Sequence, residues 1–107
     1  MAYTRTCLEE KMNTILSSLH IDFTEQVSTR SGFIIDFAIY IDRKANRKIA
    51  LEVDGSQWHT KPHQRKRDAF RDRILKKEGW TVIRFGEVFT KDDVSQRLQE
   101  SGVMPGL

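Results

Sequence analysis

Cysteine is almost missing from this chain. Cys7 is the only one in 107 residues, which excludes an internal disulfide and any zinc site built from several thiolates, and makes a reducing intracellular compartment the default. No apolar run approaches the ~18 residues needed to span a bilayer, and positions 1–11 carry charges where a secretory leader would have its apolar stretch. A soluble, cytoplasmic protein without membrane partners is expected. Strong net charge is lacking too: the formal balance is +3, so composition alone does not call for a polyanionic partner. No internal repeat or low-complexity segment interrupts the chain.

What is present fits one compact domain, since a chain of this length can bury roughly two-thirds of the surface its unfolded form exposes. Leu8, Met12, Ile15, Leu16 and Leu19 recur at the spacing of one helical face, with Thr4 or Thr6 as cap, and predict a helix over about 3–19. Around that helix Glu9 falls at the margin of the apolar stripe, whereas Glu10 points the opposite way. A short edge strand near 23–27 precedes "FIIDFAIYI", whose β-branched and aromatic content predicts a strand, and "DRKANRK" turns it into a second, "KIALEVD". A helix in "HQRKRDAFRDRILKKEG" closed by Gly79, a strand "WTVIRF" and a helix "TKDDVSQRLQES" follow. The order αβββαβα predicts an α/β fold on a mixed sheet, with the third helix-strand unit crossing back beside the hairpin.

The acids stand out against this frame. A strand period of two places Ala50, Glu52 and Asp54 on one face and Ile49, Leu51 and Val53 on the other. Asp36 lies in the middle of a strand that is otherwise apolar on both faces. Burying unpaired carboxylates together costs several kcal/mol unless a cation neutralises them, and oxygen-only ligands suit a hard divalent ion such as Mg2+, with Mn2+ as substitute. For any single strand the blander reading is a solvated sheet face; Asp36 argues against it, because its own strand offers almost no polar company.

In order, a first-helix acid, "IIDF", "IALEVDGSQWH" and "RDAFRDRILKKEGWTVIRF" resemble the catalytic core of the very-short-patch repair (Vsr) endonucleases of the PD-(D/E)xK superfamily. They are most similar to the phage EDxHD homing endonucleases, whose ordered residues match Glu9, Asp36, His59 and Asp68, with Asp54 at the variable position. The resemblance spans about 8–85 and implies a restriction-endonuclease-like core of helix, hairpin, helix, strand and helix. It implies Asp36 as principal metal ligand with the Val53 carbonyl, Glu52 at the second acidic position, and His59 as general base or acid oriented by Asp68. Glu9 would help position water or metal from the helix. Two departures stand: Asp54 holds the place of the superfamily's lysine, so no ammonium there meets developing phosphate charge, and the repair enzyme's structural zinc has no cysteine ligands here. Asp54 is open between ligating a second ion and capping the turn before Gly55.

Lys61, Arg65, Lys66, Arg67, Arg71 and Arg73, with Lys76 and Lys77, crowd the stretch 61–77 that holds the second expected helix and suit the phosphate backbone of double-stranded DNA, against the alternative of a solvated, ion-paired helix. Trp58 matches an aromatic wedge position of the repair enzyme, with a packed loop aromatic as its plainer role. His20 and His63 are read as structural or solvated, Trp80 as core, and Arg84 as either a phosphate contact or an acid's partner. No spare residues form a DNA-reading motif. The expectation is a metal-dependent DNA endonuclease domain of a bacterial or phage-infected cell. It would be a homing module taken from a longer protein, a repair or restriction-type nicking nuclease, or a DNA-binding module without chemistry.

Overall fold

The computed structural model describes residues 5–54 and 62–104. Its elements are α1 (Cys7–Ser18), β1 (Thr24–Ser28), β2 (Ile34–Asp42), β3 (Arg47–Val53), α2 (Pro62–Lys77), β4 (Trp80–Phe85) and α3 (Lys91–Glu100), the order expected, edge strand included. α1 starts later than its apolar spacing suggests, because Thr6 carries the cap. The Thr6 hydroxyl accepts from the Glu9 backbone N–H at 3.2 Å, and the Glu9 carboxylate accepts from the Thr6 N–H at 2.9 Å, a reciprocal box that satisfies two end donors. Thr90 and Asp93 repeat the device at the start of α3.

The sheet runs β1-β2-β3-β4. β1 to β2 and β2 to β3 are antiparallel, and β3 to β4 is parallel, which requires a crossover; α2 provides it. The hairpin turn is closed by Asp42, whose Oδ1 accepts from the N–H groups of Lys44 and Ala45 at 3.0 and 3.1 Å. Gly79 ends α2 at φ +95°, and a Cβ there would collide with Asn46, whose amide in turn donates to the Glu78 carbonyl at 3.2 Å. Glycine is required there by both the dihedral and the close approach.

Both sheet faces are covered. On one, α1 and α3 bury Met12, Leu16, Val94 and Leu98 against Phe37, Ile39, Ile49, Leu51, Ile83 and Phe85. On the other, α2 contributes Leu75 to a smaller group with Ile35, Ala38, Ala50 and Trp80. Among the described residues no helix is long and apolar enough to cross a membrane. The period-two reading of β3 is met: Ile49 and Leu51 face α1 and α3, and Ala50 faces α2. In β2 the alternation breaks. Ile35 belongs to the α2 side and Phe37, two positions on, to the α1 side, so the pleat is interrupted at Asp36. Gln26, opposite Asp36 in the register between Glu25↔Phe37 and Val27↔Ile35, has φ +52°, a left-handed conformation uncommon outside glycine. Such interruptions re-aim a side chain.

Candidate active site

The break brings Asp36 to Glu52. Asp36 Oδ2 accepts from the Val53 backbone N–H at 2.9 Å, and the Asp36 N–H approaches Glu52 Oε2 at 3.4 Å. Asp36 thus hooks the end of β3 through its side chain, beyond the last regular pair of the β2–β3 ladder, Phe37↔Leu51. Val53 meets Asp36 through its N–H. One residue further, the Asp54 N–H donates to the Phe85 carbonyl at 3.0 Å, extending the parallel ladder past the strand end and fixing the backbone from which the Asp54 side chain departs.

Glu52 is 7% exposed. Burial, and then the neighbouring charge of Asp36, push its carboxyl up to about 7, against the opposing pull of Arg71. Arg71 is the largest surprise. Expected among the phosphate-binding cations, it turns inward: Nη2 donates to Glu52 Oε1 and, at 3.0 Å, to the Ile34 carbonyl, and the guanidinium lies 5.6 Å from the centre of the Phe33 ring. The charge that sequence reasoning left to a divalent cation is thus partly met by an arginine. The signal was available in helical spacing, since Arg71 stands four positions before the core residue Leu75 and three after Asp68, on the buried side of α2.

Arg84, left open between phosphate and acid, is an acid's partner. It forms a two-pronged pair with Asp72, Nη1 to Oδ2 at 2.5 Å and Nη2 to Oδ1 at 2.8 Å, and this pairing raises its pKa further. Arg84 sits beside Glu52 in the β3–β4 register, and the fields of Glu52 and Asp68 also reach it. Asp68, half-buried on α2, therefore lies on the site's side of the helix. The remaining described cations of α2, Arg65, Lys66, Arg67, Arg73, Lys76 and Lys77, are exposed. They do not form one stripe: 100° per residue separates Lys66 from Arg67, and Lys66, Arg73 and Lys77 share the side opposite Leu75.

Glu9 is 8% exposed. Its Oε1 closes the α1 cap and its Oε2 accepts from Gln26 Nε2 at 3.2 Å. Gln26, which sequence reasoning passed over, thus connects the first-helix acid to the strand position opposite Asp36; nothing in its surroundings in the sequence marks it. Trp58, His59 and Lys61 lie outside the described residues. Among the described residues no group of three or more histidine, cysteine, aspartate or glutamate side chains is close enough to hold a metal by itself. The two that converge, Asp36 and Glu52, match the one or two carboxylates by which magnesium is commonly held while keeping water and substrate oxygens.

The fold that positions these residues has counterparts. The catalytic domain of the homing endonuclease I-Bth0305I superposes with a TM-score of 0.56 over 91% of this chain and 88% of that one, at 21% identity, a likeness of fold. A protein of Haemophilus influenzae described as uncharacterized is 37% identical over 68 residues, 64% of this chain and 48% of the relative, so the match spans about half of that protein. The profile of one family runs through nearly the whole chain, from α1 to the end of α3, at residues 8–101. The chain therefore belongs to the REase_MTES_1575 family, a restriction-endonuclease-like group of nuclease domains.

Proposed function

We propose that this domain is a divalent-metal-dependent DNA endonuclease that hydrolyses phosphodiesters by attack of water, acting as the cleavage module of a homing endonuclease and built like the very-short-patch repair enzymes. The observation that carries the reading is the Asp36–Glu52 pair: two carboxyl groups drawn together at an interrupted strand, one of them buried and raised to about 7. Asp36 spends one oxygen on the Val53 N–H, while Glu52 gives Oε1 to Arg71 and turns Oε2 toward the Asp36 N–H at 3.4 Å, so a hard cation would share lone pairs on these oxygens. Magnesium, with manganese as substitute, would polarise the phosphate and acidify the water. Asp36 and Glu52 would hold the ion, with the backbone at Val53 and the Asp54 side chain at the rim.

His59 carries the proton-transfer role by resemblance, with Asp68 orienting it from the half-buried side of α2. Glu9, reaching the site through Gln26, orders the opposite edge. Double-stranded DNA would be held by the exposed cations Arg65, Lys66, Arg67 and Arg73, with Lys61 and Trp58 in the segment before the helix. Supercoiled plasmid incubated with the protein and Mg2+ should be nicked, chelator should stop the reaction, and Asp36→Asn should slow it about a thousandfold, roughly 4 kcal/mol, with DNA affinity retained. Nicking that persists in chelator, or an equally active Asp36→Asn, would refute the proposal. The Arg71–Glu52 pair favours a second reading, a DNA-binding module whose acids are neutralised from within. That module would bind DNA with a salt-dependent affinity yet take up no Mn2+ and never nick.

A further inference from the structure

We propose that Arg71 supplies the positive charge that stabilises the scissile phosphate, from α2, in place of the lysine whose position on β3 Asp54 holds. The inference rests on the reading of Asp36 and Glu52 as the hydrolytic centre. Hydrolysis of a phosphodiester concentrates negative charge on the non-bridging oxygens, and a preorganised donor beside them is worth more than a solvated one. The one lysine of β3, Lys48, is four residues before Glu52 and lies with its ammonium over the Trp80 ring. The candidates must come from neighbouring elements, and the described residues distinguish them.

Arg84 is committed at both ends of its guanidinium to Asp72. Arg65, Lys66, Arg67 and Arg73 are exposed on α2, suited to tracking a backbone and remote from the buried face. Arg71 alone of these cations bonds to a carboxylate of the pair. Its bonding is lopsided: Nη2 serves both Glu52 and the Ile34 carbonyl, while Nη1 comes only to 3.9 Å from Asp72 Oδ1, beyond hydrogen-bond reach. One edge is pinned, and among the described residues no hydrogen-bond partner meets the N–H donors on the other. The side chain keeps 18% of its exposure, so it is held without being sealed. A guanidinium fixed through one nitrogen with a planar edge to spare has the geometry for two-pronged recognition of a phosphate. Simple neutralisation of Glu52 requires neither the bond to Ile34 nor the open edge.

The test compares wild type, Asp36→Asn, Arg71→Gln and Arg71→Lys as full-length chains. It reads single-turnover cleavage of duplex DNA in Mg2+, DNA affinity without metal, Mn2+ affinity and thermal stability. Arg71→Gln should cut about 100-fold to 1000-fold more slowly at saturating DNA, with DNA affinity within about threefold of wild type. Arg71→Lys, which keeps the charge but loses the fork, should cut at least about tenfold faster than Arg71→Gln. Mn2+ should bind Arg71→Gln as tightly as wild type or more so, because a nearby cation has been removed. Cleavage by Arg71→Gln within about threefold of wild type overturns the inference. So does an Arg71→Lys no faster than Arg71→Gln, a defect confined to DNA affinity, or a loss of Mn2+ affinity that matches the loss of rate. Should Arg71→Gln fail to fold, Arg71→Lys decides: a folded lysine variant as slow as Asp36→Asn overturns the role. Failure of the hydrolytic reading has a different signature, a wild type that does not cut or an Asp36→Asn that does.

Discussion

The two faces of the sheet are built to different rules. Under α1 and α3 lies a continuous apolar core in which Met12, Leu16, Phe37, Ile49, Leu51, Val94 and Leu98 are fully buried. Under α2 the buried apolar set is smaller, Ile35, Ala38, Ala50, Leu75 and Trp80, with Val27, Phe33, Tyr40 and Val82 partly buried against it, and charged pairs join it: Arg71 on Glu52, Arg84 on Asp72. Buried ion pairs contribute little net stability, because desolvation offsets the attraction. One face therefore stabilises the domain and the other organises charge, and α2 is held to the sheet by fewer buried apolar side chains.

The division predicts separable consequences. Leu98→Ala in the large core should cost about 2–5 kcal/mol, read by denaturant unfolding, with cleavage per folded molecule unchanged. Leu75→Ala should cost stability in the same range and in addition slow cleavage several-fold, since Leu75 is one helical turn from Arg71 and seats the face of α2 that meets Glu52. Equal specific activities for the two variants would show that the division is wrong and that α2 positions its charges without its apolar anchor.

The same division explains what could be read in the sequence. Where the only demand was burial, periodicity was a sufficient guide: the α1 stripe, the alternation in β3, Trp80 as core and Gly79 as helix stop all stand in the structure. Where function bends the chain, local pattern failed. The interrupted pleat at Asp36 could not be seen in "FIIDFAIYI", because both faces there are apolar and either phase fits. Asp36 and Glu52 were legible as a pair because acids are costly in such strands. Their arginine was passed over although helical spacing puts it on the Leu75 side, because the contact joins residues on separate elements and a helix rich in cations obscures the one that faces inward. Gln26 was illegible for the same reason: its importance comes from the register of β1 against β2.

The charged face should also show itself in pH. Glu52 titrates at about 7 in the folded chain against 4.5 for an ordinary glutamate. Below about pH 4.5 both states are protonated and its contribution to stability is fully present. As pH rises through the window up to about 7 the folded state alone retains the proton, so stability falls, by at most about 3 kcal/mol at 1.36 kcal/mol per pH unit, and then levels off. With chelator present, wild type should follow this slope between pH 4.5 and 7, and Glu52→Gln, which leaves Arg71 an acceptor, should not. A wild-type profile as flat as the variant's would mean that Arg71 holds Glu52 ionised throughout.

Glu9 is where the two faces come closest to sharing a residue, and it offers the finest test of the comparison. Its carboxylate belongs to the cap of α1, yet its second oxygen accepts from Gln26, opposite Asp36. Thr6→Ala removes the cap's hydroxyl and should cost about 1 kcal/mol, with cleavage within about twofold of wild type. Glutamine at the third helical position still completes a capping box, so Glu9→Gln isolates the charge from the cap. It should leave thermal stability near wild type and slow cleavage about tenfold, roughly 1.4 kcal/mol, far less than Asp36→Asn. If cleavage is untouched, Glu9 belongs to the large core's side alone and serves only to start its helix. If it falls while stability holds, the first-helix acid acts across the sheet, and the site draws on both layers of the fold.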